Sequence, residues 1–280
     1  MITEFANAKI NLFLDVVGVR EDGFHNIKSV MHSISLCDKL TIEAFLSDKT
    51  EIEIAHNSLE LSNDKDNLIY KSALKYLAEY GFDARVKITL EKNIPIGAGL
   101  GGGSADAAAT LRGLNRIFGF ADNDALIKLS CKIGSDVPFC LIGGTAMCEG
   151  RGEILTPLNI DFNRHFVVAI GDSRVSTPKA YRDLDERFNY NFANRSNNEP
   201  DFETLYNVFE EVITIPEIDE IKKNMTKNGA EQTLMSGSGP SVFGIFKNEE
   251  TARLAVDALQ KLGFKAYYAA SAEVSKVDSI

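Results

Sequence analysis

Five glycines fall within the seven positions 97–103, inside the stretch Pro95-Ile96-Gly97-Ala98-Gly99-Leu100-Gly101-Gly102-Gly103-Ser104. Just before it, Val86-Lys87-Ile88-Thr89-Leu90 alternates apolar and polar residues, the pattern of a half-buried strand. Just after it, Ala105-Asp106-Ala107-Ala108-Ala109 opens a helix expected to run to about Gly119. The order is strand, bare loop, helix. Without Cβ atoms such a loop takes positive φ freely and lets a ligand approach the main chain. Its amides and the positive end of the helix dipole then converge on one point, a geometry that suits phosphate. A glycine turn needed only for tight strand–helix packing is the alternative reading of the loop taken alone.

Two widespread phosphate motifs nearly fit and both fail. Gly97-x-Gly99-x-x-Gly102 has dinucleotide-fold spacing, but the next pattern, Asp124 to about Ile133, is helical where a strand ending in an acidic residue is required. Gly97-x-x-x-x-Gly102-Gly103-Ser104 has Walker A spacing, yet Gly103 stands in the lysine's place. The protein-kinase glycine loop joins two strands, and no HRD or DFG sequence follows here.

The remaining chain sets bounds on partners. A net charge of −10 argues against a broad nucleic-acid or anionic-membrane surface. Cys37, Cys131, Cys140 and Cys148 show neither CxxC pairing nor zinc spacing and read as reduced packing residues of a cytoplasmic protein. No stretch reaches the length of a membrane span, and no signal peptide is visible. Monomer and homodimer are both compatible with the sequence.

Along the chain, strands are expected at about 5–17, 27–36, 39–45 and 51–55, with a turn centred on Asp22-Gly23. A helix follows at 67–80, stopped by Gly81. Beyond the central loop and two helical patterns, a strand at 145–149 leads to a boundary around Thr156-Pro157, giving domains 1–160 and 161–280. The second half reads as a strand at 165–170, a polar loop at 183–200, and helices at 201–212 and 216–228. Strands at 232–235 and 242–246 flank the turn Ser236-Gly237-Ser238-Gly239-Pro240, before a helix at 249–262 and a strand at 266–269. That order is ferredoxin-like.

Two charged residues stand out. Asp136, in Gly134-Ser135-Asp136-Val137-Pro138-Phe139, is either the N-cap of a short helix or a catalytic carboxylate. Lys9, among Ala6, Ala8 and Ile10, is either on a solvated strand face or a held cation. Phe24 and His25 lie on a turn and say little alone; His32, His56 and His165 form no ligand spacing.

Together, Ala8-Lys9-Ile10-Asn11-Leu12, Arg20-x-Asp22-Gly23-Phe24-His25, the Pro95–Ser104 loop, the Gly134–Phe139 segment and the Ser236–Pro240 turn resemble the GHMP (galactokinase, homoserine, mevalonate and phosphomevalonate) kinase superfamily. They occur in its order over nearly the whole chain. The resemblance implies an α+β, two-domain GHMP kinase fold, with an N-terminal domain similar to ribosomal protein S5 domain 2 and a ferredoxin-like C-terminal domain. It implies ATP and Mg²⁺ as cofactors. Within the superfamily, the Lys-Ile-Asn and Asp-Gly-Phe-His pieces are similar to the branch that phosphorylates a CDP-linked methylerythritol in non-mevalonate isoprenoid synthesis. A mevalonate- or homoserine-type kinase, and an inactive nucleotide-binding module, are the competing readings.

By that resemblance, Lys9 and Asp136 are catalytic, and Asn11 lies near the reacting hydroxyl. Phe24 and His25 would hold cytosine, with Tyr181 stacked on its other face. Pro95, Gly97, Gly99, Leu100, Gly101, Gly102, Gly103 and Ser104 would hold the ATP phosphates, Ser104 also meeting Mg²⁺. Asn67 and Lys92 would lie near the nucleotide base. Phe24 stays within the family pattern of tyrosine or phenylalanine, and Ala105-Asp106 replaces the Ser-Asn of some members.

Overall fold

The computed structural model describes residues 1–63, 65–160, 162–189 and 205–272. Its first sheet is built on two long strands, β1 (Ile2–Val19) and β2 (His25–Leu46), which pair antiparallel around the Asp22-Gly23 turn. Strands expected at 27–36 and 39–45 are therefore one strand. The interruption is a bulge: Asn7 pairs with Cys37 and Ala8 with Ile34, so Ser35 and Leu36 have no opposite residues. Next come β3 (Glu51–His56), α1 (Leu68–Tyr80), β4 (Ala84–Glu91), α2 (Gly102–Phe118), α3 (Asn123–Cys131) and α4 (Val137–Ile142). Two further strands, β5 (Thr145–Gly150) and β6 (Ile154–Pro157), complete this half; β6 falls where only a boundary was expected.

The second half comprises β7 (His165–Ile170), α5 (Thr177–Phe188), β8 (Tyr206–Asn207), α6 (Pro216–Lys227), β9 (Gln232–Met235), β10 (Val242–Phe246), α7 (Glu249–Lys261) and β11 (Lys265–Ala270). The sheet order β11-β7-β10-β9, with every pair antiparallel, is the ferredoxin-like arrangement the element order predicts. Two expectations need correction. The polar loop at 183–200 begins as helix, because Ala180, Tyr181, Leu184 and Phe188 give α5 an apolar stripe; residues 190–200 lie outside the described residues. In place of a helix at 201–212, Tyr206 and Asn207 pair with Phe13 and Leu14 of β1 in parallel, and Val208–Glu211 form a 3₁₀ turn; residues 201–204 lie outside the described residues.

Alternation along β1 explains how the halves join. Ala8, Ile10 and Leu12 face one way, into a core shared with Ile94, Ala98 and Leu100 and with Phe166, Val168, Phe243 and Ile245 of the second sheet. Lys9 and Asn11 face the other way. The seam between the halves is thus apolar on one face of β1, while the other face lines a cavity. The four cysteines are free, and among the described residues no helix is long and apolar enough to cross a membrane.

His32 pins the same seam: its Nδ1 is 2.8 Å from Thr145 Oγ1 and its Nε2 2.9 Å from Ser271 Oγ. Burial lowers its pKa from 6.5 to about 4. Between those values the unfolded chain holds more protons, so stability is lost as pH falls from about 6.5 through about 4, by up to about 3 kcal/mol. Denaturant midpoints measured from pH 7 to pH 4 should therefore fall more steeply for the wild type than for His32→Asn. Parallel curves would show that this imidazole does not set the slope.

Candidate active site

Lys9 and Asp136, 127 positions apart in the chain by number, meet at the mouth of α2. The Lys9 side chain is only 6% exposed, so its ammonium is a held cation and not part of a solvated face. Its Nζ donates to Asn11 Oδ1 at 2.7 Å and lies 3.6 Å from Asp136 Oδ2. Asn11 Nδ2 in turn donates to Ser29 Oγ at 2.8 Å, and Ser29 Oγ donates to the Phe13 carbonyl at 2.7 Å. This chain of bonds fixes where the ammonium stands. Asp136 occupies the N-cap of α4, yet its side chain makes no capping bond. Its carboxylate is turned toward Lys9 and the cavity.

Above Lys9 lies the glycine loop. The Lys9 amide donates to the Leu100 carbonyl at 2.9 Å, and a Cβ on Gly101 would sit 2.8 Å from Lys9 Cγ. Gly101 is the N-cap of α2 in a left-handed conformation, φ +68°, so no side chain caps the helix and its first-turn amides face outward. The second glycine turn closes the loop from the other half: Ser236 Oγ donates to Gly99 O at 3.1 Å and Ser241 Oγ to Ala98 O at 2.5 Å. A Cβ on Gly237 would lie 3.1 Å from Gly99 O and 3.4 Å from Lys9 Nζ. Asn207 holds this turn by donating from Nδ2 to the carbonyls of Met235, at 2.7 Å, and Gly237, at 2.8 Å.

One cavity of about 650 Å³ joins these groups. Lys9, Asn11, Gly99, Gly101, Ser104 and Asp136 line one end, and Phe24, His25 and Tyr181 line the other. The aromatic end differs from expectation. His25 and Tyr181 stack directly on each other, centroids 4.6 Å apart and planes at 30°, so no base fits between them. They form one platform, backed edge-on by Phe209 and oriented by a 2.8 Å bond between His25 Nε2 and Asp185 Oδ1. Phe24, half exposed, stands apart under the Arg151 guanidinium. Burial raises the Tyr181 phenol pKa, and the negative charge of Asp136 pushes it the same way.

The remaining predicted residues are elsewhere. Lys92 and Pro95 line a second cavity, about 280 Å³, on the outer side of the loop, with Arg174 donating across it to the Ile96 carbonyl at 3.1 Å. Lys92 is not a free cation. Its Nζ lies between Asp38 and Asp106, beneath the point where a Gly102 Cβ would be. Burial pushes the Asp106 carboxyl up despite the Lys92 ammonium beside it, and Asp106 Oδ1 has no hydrogen-bond partner. Asn67 caps α1, accepting from the Ile69 amide and donating to the Ser62 carbonyl. Leu100 is buried in the seam core; Gly97, Gly102 and Gly103 line neither cavity.

Several contributors carry no strong sequence signal. Ser29 follows Lys28 in a mixed run, Asn207 is a single polar residue between Tyr206 and Val208, and Asp185 sits within the stretch read as a polar loop. Only Arg151, flanked by Gly150 and Gly152, has a local pattern that could have marked it.

Residues 67–144 match the family described as GHMP kinases N terminal domain, and residues 191–265 match GHMP kinases C terminal. A relative from Staphylococcus aureus strain bovine RF122 / ET3-1, provisionally named 4-diphosphocytidyl-2-C-methyl-D-erythritol kinase, is 40% identical over 264 residues, covering 90% of this chain and 93% of its own. A crystal structure of 4-(cytidine 5'-diphospho)-2C-methyl-D-erythritol kinase superposes with a TM-score of 0.79 at 32% identity, over 97% of this chain and 100% of that one. Homoserine kinase from Cytophaga hutchinsonii ATCC 33406 shares the fold, with a TM-score of 0.72 at 20% identity, over 99% and 96% of the two chains.

Gly99 has φ +78°, and a Cβ there would lie 2.2 Å from the Ser236 carbonyl oxygen. Gly99→Ala should lower stability by about 1–3 kcal/mol from backbone strain alone, and nucleotide affinity should fall with it. Denaturant unfolding and nucleotide titration of the same sample check this; an unchanged midpoint would contradict the docked-turn geometry.

Proposed function

This chain belongs to the GHMP kinase family, and from that premise we propose that it transfers the γ-phosphoryl group of ATP to the 2-hydroxyl of 4-diphosphocytidyl-2-C-methyl-D-erythritol, releasing ADP, in non-mevalonate isoprenoid precursor synthesis. The observation that carries the reading is the single cavity with an ammonium–carboxylate pair against a glycine loop at one end and an aromatic platform at the other. An acceptor that pairs a nucleoside base with a distant alcohol fits both ends. Mevalonate and homoserine have no group for the platform.

Phosphoryl transfer through a loose transition state depends on positioning and charge stabilisation more than on covalent help. The first turn of α2, uncapped by any side chain, offers main-chain amides to the polyphosphate where Ser104 meets the cavity, and Gly99 and Gly101 on the same wall leave room for it. Lys9, held by Asn11 and Ser29, opposes the charge on the moving group. Asp136 accepts the proton of the attacking hydroxyl, a role worth roughly 10²–10⁴ in rate. The nucleotide base lies toward the second cavity, alongside Pro95. Lys92 acts there through its hold on the loop, since both its neighbours are carboxylates.

Mg²⁺ suits this donor set. Among the described residues no group of three or more His, Cys, Asp or Glu side chains could cage an ion, and Mg²⁺ characteristically uses one or two protein oxygens together with substrate phosphates. Ser104, on the same cavity, would hold it, and when bound it would supply charge to offset that of the phosphates. In this reading residues 1–160 are the ATP-binding domain, 161–280 the second domain, and the enzyme works in the cytoplasm.

A coupled assay for ADP tests the acceptor directly. The CDP-linked alcohol should support turnover, while mevalonate and homoserine should not; the reverse pattern would overturn the reading. Asp136→Asn should cut kcat by roughly 10²–10⁴ and leave ATP affinity within a few-fold. His25→Ala should raise KM for the CDP-linked alcohol without changing KM for ATP.

A further inference from the structure

We propose that Arg151 is a specificity-determining residue that binds the diphosphate bridge of the acceptor, between the platform and the reacting alcohol. The inference rests on the reading that the acceptor is a cytidine diphosphate ester. Such a molecule must lay two phosphates along the middle of the cavity, and Arg151 is the cation placed there. It sits in the turn between β5 and β6, on the cavity wall. The neighbouring Gly152 packs against the acid: a Cβ there would be 3.3 Å from the Ser135 carbonyl and 3.8 Å from Asp136 Oδ1. On the other side, the Arg151 guanidinium carbon stands 5.0 Å from the centroid of the Phe24 ring. The two consecutive residues 151 and 152 therefore reach from the aromatic end to the chemistry.

Its charge is not committed to a hydrogen-bonded partner. The nearest carboxylate oxygen to Nε, Glu153 Oε1, is 3.9 Å away, beyond hydrogen-bond range, and Glu153 Oε2 accepts from the Arg151 backbone amide at 2.5 Å. Nε is buried with no hydrogen-bond partner, though the side chain as a whole remains 31% exposed. Asp22, which also feels the Arg151 charge, is turned to Arg20 by three hydrogen bonds. The other cations on the cavity are occupied or peripheral: Lys9 is paired with Asp136 and Asn11, and Arg182 is exposed on α5. A planar guanidinium presents a fork that matches two phosphate oxygens, and stacking on Phe24 would fix its plane.

The bland role for Arg151 is support of the Phe24 ring, and the two roles separate by ligand. Calorimetric titration of the full chain with CDP, CMP and cytidine, each without ATP, reads the phosphate contribution apart from the base. For Arg151→Gln, CDP affinity should drop about 10- to 100-fold while cytidine affinity stays within about 2-fold. Arg151→Lys should recover part of the loss, and KM for the CDP-linked alcohol should follow the same order while KM for ATP stays constant. Equal losses for CDP and cytidine would reduce Arg151 to a ring support and overturn the proposal. So would Arg182→Gln removing the CDP preference while Arg151→Gln keeps it. A folded wild type that binds neither CDP nor cytidine would remove the acceptor reading and this inference with it, whereas one that prefers CDP equally with and without Arg151 would sink the inference alone.

Discussion

Everything at this site depends on two stretches of bare main chain pressed against each other. A methyl group on Gly99 would strike the Ser236 carbonyl and one on Gly237 would crowd the Gly99 carbonyl, and serine hydroxyls from positions 236 and 241 tie the contact to the carbonyls of Gly99 and Ala98. That contact places the start of α2, the Lys9 ammonium and the second glycine turn within one small volume. The apolar seam formed by Ala8, Ile10 and Leu12 against the second sheet supplies the rigidity behind it. Because the loop needs its amides and not its side chains, it has no cation of its own. The two charges come instead from β1 and the N-cap of α4.

The site keeps its charges in balance by pairing them. Lys9 meets Asp136, and Lys92 is enclosed by Asp38 and Asp106. Net charge of the protein is −10, so an anionic substrate is not drawn in by the surface as a whole. It must be received by local donors, among which main-chain amides carry no counter-charge to displace. Lys92 illustrates the other use of a cation: buried beneath Gly102, it joins β2, the end of β4 and the first turn of α2, and so fixes the frame on which the amides are aimed.

What the sequence disclosed follows the range over which each signal acts. The loop, the α2 helix and the ferredoxin-like order are local patterns of glycine, alternation and helical period, and they were legible in residues 86–119 and 232–269. Long-range pairings were not. Whether Lys9 faces solvent or Asp136 could not be read from residues 6–11, because its face of β1 is covered by distant segments, the Gly101 loop, the Gly237 turn and Asp136. The bulge at Ser35 and Leu36 looks like a break between two strands until β1 is seen to run past it. Residues 177–188 hide a helix behind a high density of charge, and Tyr206-Asn207 forms a strand only because Phe13 and Leu14 accept it as a neighbour. Phe24, His25 and Tyr181 were expected around one base, but direct contact between His25 and Tyr181 is set by α5 and Phe209, which no local pattern encodes.

Asn207 ties the architecture together in an unexpected direction. It belongs by sequence to the second half, lies in the first sheet through its neighbour Tyr206 and its own pairing with Leu14, and suspends the Met235–Gly237 turn from that sheet. A cut near residue 160 therefore divides the polypeptide but not the structure. Hybrids assembled from two related parents at that point would graft a foreign edge strand into the front sheet, and its amide would set the height of the back turn over the loop. The fit of the two halves is thereby coupled by one side chain.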